Sequence, residues 1–243
     1  MKIYYIHHSC FIVESDNSFL IFDYYKEKPY QSDFDFNFKD LISRITQSNK
    51  VTYVFASHSH SDHYNSEILA WNNSRNIYYI LSDDIKIYKQ IKNCYFVKPN
   101  EEFLINDIKI NTFGSTDSGV SFMVNIENSN IFHAGDLNWW KWNDDSPSEE
   151  EEMESAFKGI INDILRLDVN IDIAFFPVDK RLEENFNCGG KYFINKLAPK
   201  IFIPMHFWDD FSVIQDFKQS LSDKDTLTKI TEFKHANELL ISL

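Results

Sequence analysis

Residues 58–63 read His58-Ser59-His60-Ser61-Asp62-His63 and follow directly on the apolar run Val51-Thr52-Tyr53-Val54-Phe55-Ala56-Ser57. Three of the chain's 8 histidines stand in this one short segment. Imidazole nitrogen and carboxylate oxygen are the donors that zinc and neighbouring divalent metals take. In an extended segment, positions 58 and 60 face the same side because side chains alternate with a period of two. His58 and His60 are therefore expected to grip one metal as a pair. Asp62 and His63 fall past the strand end, in a turn, within reach of a second metal beside the first. A site on a strand end constrains the whole fold, because its remaining ligands have to come from the ends of other strands.

Two segments repeat the pattern of apolar strand, sharp exit and ligand. Phe132-His133-Ala134-Gly135-Asp136 ends on an aspartate, and Ile201-Phe202-Ile203-Pro204-Met205-His206 ends on a histidine. Asp136 and His206 are the candidates they offer. His133 lies within its strand and is expected to face the core.

The β-branched and aromatic runs 2–6, 11–14, 19–25 and 77–81 predict strands. Phe38, Leu41, Ile42 and Ile45 recur at helical spacing over 38–46, and a short helix is expected over 83–91. Further strands are expected within 102–113, around Asn106-Asp107, and in a hairpin of 120–126 and 130–134. Residues 148–167 form the clearest helix, with Ser148 as N-cap and Glu149–Glu152 complementing its dipole. Strands over 171–177, 200–204 and 238–243 and helices over 190–197 and 211–221 complete the list. Strands fall in an early and a late group, with no linker and no fixed repeat. One α/β domain spanning 1–243, sheet on sheet or sheet under helices, is the simplest account.

A formal net charge of −13 repels nucleic-acid phosphates, so no nucleic-acid partner is expected. The three cysteines, Cys10, Cys94 and Cys188, are dispersed and odd in number, which argues for a reducing compartment and a cytoplasmic location. No apolar run suggests a membrane span.

The HxHxDH segment, the later Asp136 after Ile131-Phe132-His133-Ala134-Gly135, and His206 after an apolar strand together resemble the metallo-β-lactamase superfamily. His8-Ser9-Cys10-Phe11 and Phe19-Leu20-Ile21-Phe22-Asp23 resemble segments of its UlaG-like branch, related to ascorbate-6-phosphate lactonase. The resemblance implies a four-layer αββα sandwich with a dinuclear metal site. His58 and His60 would bind the first metal, Asp62, His63 and His206 the second, and Asp136 both. Asp23 would order the metal-bearing loop, and His8 would lie near the site as a hydrogen bonder. The chain departs from the family at one position. Where a third histidine of the first metal belongs, it reads Phe113-Gly114-Ser115-Thr116-Asp117-Ser118-Gly119. Asp117 either supplies the missing ligand or, with Ser115, orders the turn.

The implied chemistry is hydrolysis by metal-bound hydroxide, with Zn²⁺ as the expected ion (one or two, Mn²⁺ or Fe²⁺ being alternatives) and Asp62 and Asp136 as catalytic carboxylates. A small ester, lactone or phosphodiester, anionic or not, is the substrate class. A metal-binding member without turnover and, less favoured by the charge, an RNA-processing nuclease are the other readings. Trp139-Trp140-Lys141-Trp142 follows Asp136 and either walls a pocket or braces a helix. Lys180 and Arg181, or the backbone at Cys188-Gly189-Gly190, are candidate anion holders, with surface cations as the default for the first two.

Overall fold

In the computed structural model, residues 1–25, 36–73, 76–221 and 227–242 are described. The chain divides into two compact units: Met1–Val97 together with Phe233–Leu243, and Lys98–Glu232.

The first unit is a seven-stranded mixed sheet in the order β14-β1-β2-β3-β4-β5-β6. Its strands are β1 (Lys2–His7), β2 (Cys10–Glu14), β3 (Ser18–Phe22), β4 (Val51–Ala56), β5 (Ile77–Ser82), β6 (Cys94–Val97) and β14 (Glu238–Ser242). Strands β3 to β6 are parallel. Alternate residues such as Tyr4, Ile12, Ile21, Val54 and Tyr79 meet Phe38, Leu41 and Ile45 of helix α1 (Phe38–Gln47) in one buried cluster. This is the period-two face of a sheet meeting the apolar stripe of a helix. A 3₁₀ stretch, Ser66–Asn73, adds Ile68 and Leu69 to it.

The second unit is another seven-stranded mixed sheet, in the order β13-β12-β11-β10-β9-β8-β7. Its strands are β7 (Glu102–Ile105), β8 (Ile108–Phe113), β9 (Ser121–Ile126), β10 (Ser129–His133), β11 (Ile173–Pro177), β12 (Ile201–Met205) and β13 (Lys229–Ile230). Strands β10 to β13 are parallel. Helices α2 (Pro147–Leu165), α3 (Cys188–Leu197) and α4 (Ser212–Ser220) cover a face where Phe157, Phe176, Phe193, Phe202 and Phe217 form successive ring contacts.

The two strand groups, the β7–β8 and β9–β10 hairpins and the main helices lie where the sequence places them. Three local expectations are corrected. Residues 83–91 are turns and irregular chain rather than a helix. Ile85 is buried while Ile87 packs against the same core, an alternation that suits an extended segment crossing from β5 to β6. The cap of α2 is Ser146, not Ser148: its side chain accepts from Glu149 N–H, and Glu149 reaches back to the Ser146 backbone. Proline at the first helical turn fits that start, since it has no N–H to satisfy. The strand expected to run to residue 25 stops at Phe22, where Asp23 turns the chain out with φ 46°.

Helix α1 is tied to its sheet by a polar network at the strand ends. Glu14 accepts from Lys50 Nζ at 3.0 Å and Tyr4 Oη at 3.1 Å, and pairs with Arg44 at 3.2 Å. Burial raises the Glu14 pKa, but Lys50, Arg44 and Tyr4 outweigh it and hold the carboxyl below its usual range. The folded pKa is depressed, so this stabilisation is present above the unfolded pKa of about 4.3 and is lost as pH falls through the folded value. Glu14→Gln is expected to cost about 1–2 kcal/mol at pH 7. Urea unfolding at several pH values should show that deficit shrinking as pH falls below the unfolded pKa of about 4.3.

Candidate metal centre

The parallel strands of both sheets carry their polar residues just past their C-terminal ends, where open α/β sheets place binding residues. In the first unit, β3 leads to Asp23, β4 to His58–His63 and β5 to Asp84. In the second unit, β10 leads to Asp136, β11 to Asp179 and β12 to His206.

Asp23 is the hub of the first set and is fully buried. Its Oδ1 accepts from Ser57 N–H at 2.7 Å, and its Oδ2 accepts from Ser57 Oγ and His63 Nδ1, both at 2.7 Å. The His63 proton therefore belongs on Nδ1, and its lone pair on Nε2. Ser57 Oγ, having donated to Asp23, accepts from His58 Nδ1 at 2.9 Å, which assigns the same tautomer to His58. A carboxylate that fixes a histidine through one ring nitrogen and readies the other is the usual outer support of a metal ligand.

Strand β4 ends at Ala56, so His58 and His60 stand in the loop beyond it, and the strand period does not pair them. The loop does so instead. Their ring centroids lie 4.5 Å apart, and those of His58 and His63 lie 4.3 Å apart. A tight turn from His60 O to the N–H groups of His63 and Tyr64, both at 3.0 Å, folds Asp62 and His63 back. Asp84 Oδ2 holds the loop by accepting from Ser59 N–H at 2.8 Å.

His8, at the β1–β2 turn with φ 56°, enters the same cluster. Its Nε2 is 3.6 Å from Asp62 Oδ2, an ion-pair distance. Its influence is the main reason the Asp62 carboxyl is held well below the usual range, against the effect of burial. Donor atoms of His8, Asp62 and His63 lie within 4.8 Å of one another, as do those of His58 and His60, a spacing that ligands of a common ion can have.

In the second unit, His206 (φ 67°) donates from Nδ1 to Asp179 Oδ2 at 3.0 Å. Arg181 grips the same carboxylate, Nε lying 3.0 Å from Oδ1 and 2.9 Å from Oδ2. Burial raises the Asp179 pKa, but the hydrogen bonds from His206 and Arg181 prevail and bring it to about 2. An ionised Asp179 leaves the lone pair of His206 on Nε2, which faces Asp136 Oδ1 at 3.2 Å. Two acceptors at that distance call for a cation between them, a proton or a metal ion. The pair Asp136 and His206 fits a divalent metal on this ground.

The remaining candidates fall elsewhere. Asp117 is exposed, its N–H directed at Ser115 Oγ at 3.3 Å, and it joins no group of converging donors among the described residues. His133 is buried in the sheet, with Nδ1 accepting from Gly135 N–H at 3.2 Å. Lys180 pairs with Asp216 at 2.7 Å and Arg181 with Asp179, so both cations are already engaged. Helix α3 begins at Cys188 itself. Of the two jobs expected of the tryptophan loop, the brace is the one seen. Trp139 braces Phe157 and Tyr192 of the helices, whereas Trp140 is buried against His206. Sequence reasoning missed Ser57 and Asp179, and placed His8 beside the donors rather than among them. Asp179 follows the apolar strand β11 by two residues, the same pattern as at Asp136 and His206.

These features define a fold and site class, the metallo-β-lactamase superfamily. The chain belongs to that family: residues 2–140 match its Beta-lactamase superfamily domain. A metal-dependent hydrolase of Nanoarchaeum equitans is 26% identical, with 92% of this chain and 93% of the relative aligned. The structure is similar to that of a metallo hydrolase, Igni18, of the hyperthermophilic archaeon Ignicoccus hospitalis, with TM-score 0.66, 15% identity and coverage of 98% and 97% of the two chains. It is also similar to CmlA, a diiron β-hydroxylase from Streptomyces venezuelae, with TM-score 0.61 and 11% identity over 95% of this chain and 52% of that one.

The Asp179 support has a direct consequence. Asp179→Asn should weaken metal binding about 10–100-fold, read by isothermal titration with Zn²⁺. Wild-type affinity in the variant would mean that Asp179 does not orient a ligand.

Proposed function

We propose that the chain is a metal-dependent hydrolase of the UlaG-like branch, acting on a small ester, lactone or phosphodiester, anionic substrates included. His58, His60, Asp62, His63, Asp136 and His206 are the proposed ligands of one or two divalent ions. The observation that carries this reading is the shared tautomer of His58, His63 and His206. Each has Nδ1 committed to a carboxylate, directly or through Ser57, and so presents Nε2. The names of the relatives as metal-dependent hydrolases support the activity. Histidine and carboxylate donors favour Zn²⁺ and also accept Mn²⁺ or Fe²⁺, and the diiron neighbour keeps iron in view. His8, near Asp62 and His63, is a further candidate donor.

A bound divalent metal lowers the pKa of a coordinated water from 15.7 to about 7 and polarises the bond under attack. The chain's own residues do the rest. Asp23, Ser57 and Asp179 hold the imidazoles in register. Asp136 sets the spacing of the donors around it. The Asp62 carboxylate, partly exposed, would accept a hydrogen bond from the attacking water. The cysteines form no disulfide, in keeping with the proposed cytoplasmic location, and no helix among the described residues is long and apolar enough to cross a membrane.

The exposure of Asp117 favours one alternative, a member that binds metal without turnover because the first ion lacks its third ligand. Metal content by mass spectrometry and turnover on generic phosphodiester and lactone substrates separate the two. Asp136→Asn should lower both metal content and turnover, the latter by about 10²-fold or more. A metal-loaded wild type that turns over neither substrate class would support the binder. Asp117→Ala should lower metal content if Asp117 completes the first site, and leave it unchanged if that residue only orders its turn.

A further inference from the structure

We infer that Trp140 is a positioning residue that sets Asp136 and His206 in register with each other; the inference rests on the reading of those two residues as metal ligands. Asp136 stands on a chain reversal after β10. Gly135 takes φ 54°, a conformation that costs a glycine little, and Leu137 N–H closes the turn on Ala134 O at 3.0 Å. The Asp136 carbonyl thereby leaves the sheet ladder and needs another donor. Trp140 Nε1–H supplies it at 2.9 Å, and Thr116 Oγ1 approaches the same oxygen at 3.4 Å. The indole is buried, so its N–H requires an acceptor and this one is shielded from water.

The ring of Trp140 also packs edge-on against the His206 imidazole, with centroids 5.3 Å apart and planes at 63°. Trp142 also stacks on Trp140, with centroids 6.3 Å apart and planes at 8°, limiting its tilt. One side chain thus holds the backbone of a ligand that follows β10 and the ring of a ligand that follows β12. Asp179 orients His206 from its Nδ1 side, and Trp140 packs against its ring. Donor placement in a metal site has to be right to within about 0.5 Å, and a rigid bicyclic ring with one directed N–H meets that need. Phenylalanine would keep most of the packing and lose the N–H.

Metal binding and metal-free stability test the inference together. Co²⁺ is titrated into wild type, Trp140→Phe and the control Trp139→Phe, following heat and the d–d absorption spectrum. The melting temperature of each metal-free protein is also recorded. Trp140→Phe should bind Co²⁺ about 10–100-fold more weakly and with an altered d–d spectrum, while its metal-free protein still unfolds cooperatively, its melting temperature lowered by about 2–8 °C. Trp139→Phe should match wild type in affinity and spectrum. Wild-type affinity and spectrum in Trp140→Phe would overturn the inference, as would a loss of affinity with an unaltered d–d spectrum. A wild type that binds no Co²⁺ would overturn the ligand reading beneath it, and the inference with it.

Discussion

A buried carboxylate, Asp23, joins the ends of two neighbouring strands and decides what the loop after β4 can be. It accepts three hydrogen bonds, from Ser57 N–H, Ser57 Oγ and His63 Nδ1. A buried charge is tolerated only when it is fully engaged, so these donors are as much a requirement of Asp23 as a benefit to the loop. They force the chain after Ala56 to turn with His58 and His63 side by side. The left-handed conformation of Asp23 itself belongs to the same device, since it ends β3 and directs the carboxylate across to β4.

The second unit uses the same arrangement on different strands. Asp179, after β11, holds His206, after β12, and Arg181 supplies the countercharge that Ser57 and His63 cannot. In both units an aspartate on one parallel strand orients a histidine on the next. His8, Asp23 and His206 at these exits have positive φ, as do ten other non-glycine residues among those described. Non-glycine residues keep such conformations only where the surroundings over-determine them, and such places are commonly functional.

Much of this was legible in the sequence because a histidine or aspartate at the end of an apolar strand is a local pattern. His58–His63, Asp136 and His206 each announce themselves within about six residues, and the sheets follow from period-two runs. What was not legible depended on partners distant in sequence. The role of Ser57 exists only because Asp23 lies 34 positions earlier in the chain and opposite it in space. Asp179 reads as part of a charged loop until His206 is seen 27 residues later beside it. His8 joins the donors through the backbone of the β1–β2 turn, which periodicity does not describe. The helix expected over 83–91 failed because its isoleucines suit an extended crossover as well as a helical face.

The account turns on a proton assignment: Nδ1–H at His58, His63 and His206, with Nε2 presented to metal. Long-range ¹H–¹⁵N correlation of the imidazole rings, in the metal-free protein and after addition of Zn²⁺, measures it directly. The expected result is the Nδ1–H tautomer at all three residues before metal, followed by a large shift of Nε2 alone on binding. Nε2–H tautomers at these positions, or Nε2 resonances that ignore Zn²⁺, would contradict it.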